Sequence, residues 1–311
     1  MNSHERHVVL GATGVVGRET VAALLAAGRD VVSLSRSGAH QTGTTAIAAD
    51  LLDGAATLRA LEASAVAYLT AALPYTQKAW HNDWPVVVSN TIDACLTHGI
   101  HLVYFDNVFA YGMADGPMTE STPIRPTGKK GHVRASLLRM LDEAARKRGL
   151  SFSVGRSADF YGPGASTSVF NSFVIDKAAV GKEASWFFDA HQPHSMTYTP
   201  DIGKALAVLG TDSRARGKTW HLPTAPPLTG AEYMDMASKT SSLHRTMTLT
   251  TMRIGGLFIR EARESLELSY QNTKPYIFDS TAFESTFAIR PTPYAEGILA
   301  ALDYAQGKRA E

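Results

Sequence analysis

Three glycines near the start of the chain have the spacing of a turn that binds nucleotide phosphates. They are Gly11, Gly14 and Gly17, in the run Gly-Ala-Thr-Gly-Val-Val-Gly between a predicted strand and a predicted helix. Gly11 would permit a tight turn, Gly14 would let the backbone approach a pyrophosphate, and Gly17 would let the helix lie against the strand. Free N–H groups at the helix start would face the phosphates. We therefore expect a dinucleotide site formed by Gly11, Thr13, Gly14, Val15, Val16 and Gly17.

The end of the predicted second strand indicates which dinucleotide binds. Sites for NAD place an acidic residue there to hold the ribose hydroxyls, whereas the stretch from Ser33 to Ser37 has none. The guanidinium of Arg36 can pair with a 2′-phosphate, which favours NADP(H) as the cofactor. The alternative is that Arg36 is an ordinary exposed residue of the loop. The residues expected to line the rest of this cofactor follow strands two, three and four and are Ser35, Ser37, Asp50, Leu51, Ala71 and Ala72.

A parallel sheet would hold these residues, and the pattern of the first half of the chain predicts one. Short β-branched runs alternate with longer amphipathic stretches, which is typical of a doubly wound parallel α/β sheet of the Rossmann type. Strands are predicted at residues 7–11, 31–34, 45–48, 66–69, 101–105 and 151–156. Helices are predicted at residues 15–27, 53–61, 87–98 and 129–148.

The alternation ends near residue 160, where prolines begin to cluster and helical stretches lack clear strand partners. We predict an NADP-binding domain over residues 1–160 and a smaller mixed α/β lobe, mainly for substrate, over residues 161–311. A segment near residues 195–223 is expected to return to the first domain, with Trp220-His221-Leu222 as a further strand.

Composition limits the classes of partner. The 311 residues carry 30 Lys plus Arg against 29 Asp plus Glu, for a formal net charge of +1. A binder of nucleic acid or of an acidic membrane would need clustered basic residues in excess, so neither partner is expected. Cys95 is the one cysteine, and no apolar run approaches the length of a membrane span. We expect a cytoplasmic protein whose partners are a small-molecule substrate and, as an open alternative, a second copy in a homodimer.

Three further segments resemble one enzyme family. They are Tyr104–Gly112, the stretch Gly155–Gly164 with its Arg-x-x-x-x-Tyr-Gly-Pro pattern, and His194–Ala205. With the glycine turn, they resemble the short-chain dehydrogenase/reductase superfamily, in its extended or atypical branch of NAD-dependent epimerase/dehydratase-like proteins. The resemblance runs over residues 7–225 or so and implies a nicotinamide cofactor on a Rossmann-type fold.

The resemblance also implies where proton transfer takes place, and the chain departs from the family there. The family places a Ser or Thr after the fifth strand and a Tyr-x-x-x-Lys pair at the next helix, with the tyrosine as general acid/base. These positions hold Asn107, Lys130 and Arg134. Asn107 can donate a hydrogen bond to a developing alkoxide, Arg134 suits binding of a ribose or phosphate, and Lys130 is left for proton transfer. Tyr111 and Tyr161 are the alternatives for that step.

Other chemistry-bearing residues have an ordinary structural interpretation beside the functional one. His194 is expected to contact substrate from a loop, and no metal site is expected with His191 because a third ligand is not evident. Asp106 is either an acid/base or a cap of the following loop. The aromatic stretch after the fourth strand either walls the substrate or packs in the interior, and it consists of Tyr75, Trp80, His81 and Trp84.

Three functions stay open. The favoured one is an NADP(H)-dependent oxidoreductase acting on a carbonyl, or on a conjugated or imine-like double bond, of a small organic molecule. The second is an epimerase or dehydratase in which a retained NAD(P) oxidises and re-reduces the substrate, as the resemblance implies. The third is an NADP(H) sensor without turnover, which the missing tyrosine would permit. The second lobe shows no basic cluster suited to a nucleotide diphosphate, which favours the first function over the second.

Overall fold

The computed structural model describes residues 5–238, 244–247 and 266–307. Contacts divide this chain into two compact units. The first contains the described residues up to Gly112 together with Ile124–Ser157 and Ile202–Leu222. The second contains Met113–Pro123, Ala158–Asp201 and the described residues from Pro223 onwards. The domain limits expected from the sequence stay a prediction.

Strands and helices alternate regularly only in the first half of the described chain. The strands are β1 (Arg6–Leu10), β2 (Asp30–Ser35), β3 (Thr45–Ala48), β4 (Val66–Leu69), β5 (His101–Asn107), β6 (Phe152–Ser157), β7 (Asp159–Tyr161), β8 (Ala184–Phe187), β9 (Pro193–His194), β10 (Met196–Tyr198), β11 (Thr219–His221), β12 (Leu228–Thr229) and β13 (His244–Met247). The helices are α1 (Val15–Ala26), α2 (Gly54–Ala60), α3 (Gln77–His98), α4 (Lys129–Arg148), α5 (Asp176–Ala178), α6 (Thr199–Thr211), α7 (Gly230–Ala237), α8 (Thr281–Phe287) and α9 (Tyr294–Gly307).

Seven parallel strands form the sheet of the first unit, in the order β11-β6-β5-β4-β1-β2-β3. This arrangement confirms the predicted doubly wound fold. The strand β11 lies beside β6, with Trp220 opposite Gly155, at the position expected for a returning strand. The strand order reverses between β1 and β4, so the connections after these two strands diverge and leave a crevice at the carboxyl edge.

Helices cover both faces of this sheet. On one face α2, α3 and α4 pack over an apolar core that includes Leu10, Leu102 and Val154. On the other face α6 packs closely against the sheet. Gly210 of α6 lies so near Tyr68 of β4 that a side chain there would overlap the tyrosine ring. None of the described helices combines the length and apolar character needed to cross a membrane.

The helix α3 is longer than the sequence predicts. The pattern indicates a helix over residues 87–98, but α3 begins at Gln77, after Thr76, whose side chain accepts a hydrogen bond from the Ala79 N–H at 3.2 Å. Pro85 lies inside the helix. Proline lacks an N–H and usually ends helices, which is why the sequence places the start after it.

The second unit is a mixed α/β assembly, as the sequence predicts. Its strands form three two-stranded sheets, β7 with β10, β9 with β12, and β8 with β13. Aromatic side chains dominate its core and include Tyr161, Phe170, Trp186, Tyr233 and Tyr294.

Candidate active site

The glycine turn after β1 excludes larger residues at two of its three glycines. Gly11 has a φ of +86°, and a side chain there would overlap Ala71, which follows β4. A side chain at Gly17 would overlap the carbonyl oxygen of Gly11. Gly14 differs, because an added Cβ would meet that oxygen alone, at 3.2 Å. The chain therefore leaves space beside Gly14.

The start of α1 offers hydrogen-bond donors at this space. Gly14 caps α1 but has no side chain that could accept a hydrogen bond from the backbone N–H groups of the first turn. The first turn also contains no acidic residue. Backbone N–H groups at a helix start, together with the helix dipole, attract anions. The turn therefore fits the pyrophosphate of a dinucleotide, which would be held by Gly11, Thr13, Gly14, Val15, Val16 and Gly17.

The loop after β2 presents Arg36 at the neighbouring strand end. The hydroxyl of Ser35 accepts a hydrogen bond from the Ala39 N–H at 3.2 Å and lies 3.5 Å from the hydroxyl of Ser37. Arg36 is exposed and makes no hydrogen bond or ion pair with the residues that the structure describes. Its planar guanidinium is thus available to an anionic group.

The other residues expected along the cofactor follow β3 and β4. Asp50 is exposed, and its Oδ1 accepts a hydrogen bond from the Leu52 N–H at 3.0 Å. Leu51 is buried, whereas Ala71 is half-buried and Ala72 is exposed. Their contact with a cofactor stays a prediction.

A buried polar cluster, the Asp106 cluster, joins β5, β6 and α4 and consists of Tyr104, Asp106, Arg134 and Arg156. The Nε and Nη2 atoms of Arg156 lie 3.0 and 2.9 Å from Oδ2 of Asp106. Nη1 of Arg134 lies 3.9 Å from Oδ1 and donates to the Tyr104 hydroxyl at 2.6 Å. Two guanidiniums therefore face one carboxylate. The Asp106 carboxylate therefore pairs with side-chain cations and does not cap the following loop, whereas its use as an acid/base stays a prediction.

The Asp106 cluster fixes the ionisation of two of its members. Burial raises the pKa of Tyr104 to about 12, although the Arg134 charge opposes this shift. Burial lowers the pKa of Arg156, but the Asp106 carboxylate and Tyr111 outweigh that effect and hold the pKa above its ordinary value. At neutral pH Tyr104 is therefore uncharged and Arg156 is charged.

The other two positions that the resemblance singles out belong to the same unit. Lys130 is 1% exposed, and its Nζ lies 4.2 Å from the centre of the Tyr75 ring, where a cation is attracted to the aromatic face. Oδ1 of Asn107 accepts a hydrogen bond from the Phe109 N–H at 3.0 Å, which leaves the amide nitrogen as its donor. Their part in proton transfer stays a prediction.

The aromatic stretch is divided between the interior and the surface. Trp80 and Trp84 are buried, and the guanidinium carbon of Arg134 lies 4.9 and 4.4 Å from their ring centres. Tyr75 is exposed and meets Trp80 edge-on at 5.5 Å. The two tryptophans therefore hold Arg134 in place, whereas the binding of ribose or phosphate by Arg134 stays a prediction.

Tyr111 and Tyr161, the alternative proton donors, lie in different units. The Tyr111 hydroxyl lies 2.7 Å from Nε2 of His221, and the Arg156 guanidinium lies 4.5 Å from the centre of its ring. The Tyr161 hydroxyl has no hydrogen-bond partner among the described residues, and burial raises its pKa. Both phenols are buried, so each packs inside its own unit.

His194 is buried in the strand β9, not in a loop as the sequence predicts. Its Nε2 lies 3.0 Å from Oδ2 of Asp159, and its Nδ1 lies 3.2 Å from the carbonyl oxygen of Gln271. The ring also stacks on Tyr276, with centres 4.3 Å apart. Both ring nitrogens therefore have partners within the protein. A substrate contact by His194 stays a prediction.

Two contacts near the site were not predicted from the sequence, and only one of them had a signal there. The side chain of Gln41 donates to the Ala12 carbonyl oxygen at 2.9 Å and ties the loop after β2 to the glycine turn. A loop glutamine belongs to no motif, so this contact depends on the fold. The Asp106–Arg156 pair had a signal, since Asp106 directly follows the strand predicted at residues 101–105 and Arg156 ends the strand predicted at residues 151–156.

Among the solved structures with the same fold are two UDP-sugar 4-epimerases and a protein in complex with UDP-glucose and NAD. MoeE5 in complex with UDP-glucose and NAD is 21% identical, with 98% of this chain and 99% of that chain covered and a TM-score of 0.77. UDP-glucuronic acid 4-epimerase from Bacillus cereus, in complex with NAD, is 17% identical, with coverage of 97% and 99% and a TM-score of 0.78. UDP-glucose 4-epimerase from Thermus thermophilus, also with NAD, is 18% identical, with coverage of 97% and 99% and a TM-score of 0.77.

The sequence itself matches a family model over most of its length. No curated protein matches the chain. The model of the NAD dependent epimerase/dehydratase family matches residues 7–221, which span the glycine turn, the Asp106 cluster and all seven strands of the sheet except the first residue of β1. This chain therefore belongs to the NAD-dependent epimerase/dehydratase family, whose members are enzymes that use a nicotinamide dinucleotide.

Proposed function

We propose that the protein is an enzyme of the epimerase/dehydratase type that keeps NADP(H) bound at the glycine turn and acts on a small hydroxylated substrate. The observation that carries this proposal is the space beside Gly14, which adjoins the uncapped start of α1. Family membership favours this function over the net oxidoreductase that the residues alone favoured. A cytoplasmic location and a small-molecule substrate belong to the same proposal.

The preference for NADP(H) over NAD rests on the loop after β2. The described neighbours contain NAD, whereas this chain has Arg36 and no acid between Ser33 and Ser37. An exposed guanidinium there would pair with a 2′-phosphate through two N–H donors. Ser35 and Ser37 would add hydroxyl groups on either side.

Residues of the chain would stabilise the charge that develops during hydride transfer and would transfer the accompanying proton. The dinucleotide, when bound, supplies a hydride acceptor and donor. The amide nitrogen of Asn107 can donate a hydrogen bond to an oxygen that gains negative charge. Lys130 would hold or release the proton, because it is the ionisable side chain at the position of the family tyrosine. Arg134 is fixed by Trp80 and Trp84, and its hydrogen bond to the Tyr104 hydroxyl joins the start of α4 to β5.

A substrate survey with cofactor-loaded protein tests the reaction type. UDP-glucose and UDP-glucuronic acid, which the described neighbours bind, are the first compounds to use, followed by aldehydes, ketones and cyclic imines. We expect an epimerised or dehydrated product without net change in nicotinamide absorbance. Steady consumption of NADPH with a carbonyl or imine would instead favour the oxidoreductase.

A further inference from the structure

The loop between β2 and β3 is held by contacts along its length. The Gly38 N–H donates a hydrogen bond to the Ser35 carbonyl oxygen at 3.3 Å, and the Thr44 hydroxyl donates to the Gln41 carbonyl oxygen at 2.7 Å. Gly38 has a φ of +64°, and a Cβ there would lie 3.0 Å from the side chain of Ala48 in β3. A loop that is fixed in this way loses little conformational entropy when it binds a ligand.

Gln41 joins this loop to the glycine turn. Its Nε2 donates a hydrogen bond to the Ala12 carbonyl oxygen at 2.9 Å. Ala12 is fully buried in the turn, and its own N–H donates to the Leu34 carbonyl oxygen of β2 at 3.0 Å. Gln41 therefore connects the loop that carries Arg36 with the segment expected to hold the pyrophosphate.

This contact leaves the amide oxygen of Gln41 available to a ligand. A side-chain amide has a donor nitrogen and an acceptor oxygen, and a carbonyl oxygen as partner requires the nitrogen. The Oε1 atom of Gln41 is therefore turned away from Ala12. It accepts no hydrogen bond from the described residues and is not enclosed among them, because Gln41 is only half-buried.

The part of NADP(H) that such an oxygen would meet follows from the covalent structure of the cofactor. The adenosine ribose carries the pyrophosphate on its 5′-carbon and the additional phosphate on its 2′-oxygen. The proposed function assigns these two groups to the glycine turn and to Arg36, and Gln41 spans both segments. The 3′-hydroxyl of this ribose is the hydroxyl that stays free in NADP(H), and it is a hydrogen-bond donor.

An uncharged acceptor suits this position. Sites for NAD use a carboxylate to accept hydrogen bonds from the ribose hydroxyls. A carboxylate beside a 2′-phosphate would repel it, whereas an amide oxygen accepts the same hydrogen bond without a negative charge. No Asp or Glu lies between Asp30 and Asp50, so Gln41 faces no acidic competitor within the loop.

We propose that Gln41 is a specificity-determining residue for NADP(H). Its amide nitrogen positions the Arg36 loop on the glycine turn, and its amide oxygen accepts a hydrogen bond from the 3′-hydroxyl of the adenosine ribose. Gln41 thereby takes the place of the carboxylate that NAD sites use. The inference rests on the proposed function, because it requires NADP(H) at the glycine turn.

Calorimetric titration with three nucleotides tests the proposal. NADPH, NADH and the analogue of NADPH that lacks the 3′-hydroxyl of the adenosine ribose are titrated into the full chain, Gln41→Leu and Gln41→Glu. The controls are Gln192→Leu and Gln192→Glu, because Gln192 is a half-buried glutamine of the second unit that donates to Asp189 at 2.9 Å. Circular dichroism checks that each variant is folded.

Wild type should bind NADPH about fivefold more tightly than the 3′-deoxy analogue, the loss expected for one neutral hydrogen bond. Gln41→Leu should bind these two nucleotides equally, because it has no acceptor for the hydroxyl. Gln41→Glu places a carboxylate beside the 2′-phosphate, so its preference for NADPH over NADH should fall about tenfold or more. Both Gln192 variants should behave like wild type.

Equal binding of NADPH and the 3′-deoxy analogue by wild type would overturn the inference, and this comparison requires no variant to fold. The same discrimination in Gln41→Leu as in wild type, or an unchanged preference for NADPH in Gln41→Glu, would also overturn it. Each of these results leaves the proposed function intact as long as wild type binds NADPH. Failure of folded wild type to bind NADPH would refute the proposed function and the inference together.

Discussion

Lys130 and Arg134 lie one helical turn apart on α4, and their surroundings assign them different tasks. Arg134 lies among Trp80, Trp84 and the Tyr104 hydroxyl, so its guanidinium is held by packing. The Nζ atom of Lys130 lies over the ring of Tyr75. Of the two, Lys130 is the residue that we propose for proton transfer.

Replacement of Lys130 should separate chemistry from cofactor binding. We expect Lys130→Met to lower turnover about a hundredfold, the scale of a lost general acid, with NADPH affinity unchanged. Single-turnover kinetics on a verified substrate measure the first quantity, and calorimetry measures the second. Lys147→Met serves as control, because that lysine is exposed at the far end of α4. Wild-type turnover in Lys130→Met would exclude the proposed proton donor.

The Asp106 cluster should contribute to stability as well as to geometry. Asp106→Asn leaves two buried guanidiniums without a counter-charge, and we expect a loss of about 3–5 kcal/mol in the free energy of unfolding. The matched control is Asp93→Asn, which breaks a half-exposed 2.8 Å pair with Arg148 and should cost at most about 1 kcal/mol. Urea unfolding of both variants provides the measurement. Equal losses would mean that the buried pair contributes no more to the free energy of unfolding than the half-exposed pair does.

At the scale of elements, the first half of the chain was predictable and one helix start was not. The glycine turn, β3, β4 and α4 follow from local patterns, because apolar periodicity and glycine positions are set by burial and turn geometry. The start of α3 depends on tertiary packing that carries a helix across Pro85. The partners of His194 are Asp159 and Gln271. Both are distant from His194 in sequence, so no local pattern signals these contacts.

The start of α1 provides a test at this scale. A Cβ at Gly14 would lie 3.2 Å from the Gly11 carbonyl oxygen, so Gly14→Ala should fold with a stability within about 1 kcal/mol of wild type. The methyl group would occupy the space beside the helix start, and NADPH affinity should fall about tenfold or more. Gly17→Ala, whose methyl overlaps backbone, should instead destabilise the fold. Unchanged NADPH affinity in folded Gly14→Ala would show that no phosphate uses this space.

At the scale of the whole molecule, two buried histidines make stability depend on pH. Burial, followed by the Arg29 charge, lowers the pKa of His7 from 6.5 to about 4, and burial, followed by the Arg216 charge, does the same for His101. Below pH 6.5 the unfolded chain binds protons that the folded chain excludes. The contribution is therefore fully present above pH 6.5 and is lost as the pH falls toward 4.

Urea unfolding at a series of pH values tests this dependence. The free energy of unfolding should fall between pH 6.5 and 4, and the fall should be smaller in His7→Gln/His101→Gln. His40→Gln/His191→Gln, which changes two exposed histidines, is the control and should keep the wild-type slope. An identical slope in the buried and exposed double variants would contradict the assignment to His7 and His101.

The central claim is that NADP(H) binds at the glycine turn with Arg36 on its 2′-phosphate, and calorimetric titration of NADPH and NADH tests it most directly. Wild type should bind NADPH at least about tenfold more tightly than NADH, and Arg36→Ala should remove that preference while NADH affinity stays the same. Arg146→Ala, an exposed arginine in the last turn of α4, should behave like wild type. NADH binding as tight as NADPH binding in wild type, or a preference that survives in Arg36→Ala, would contradict the account.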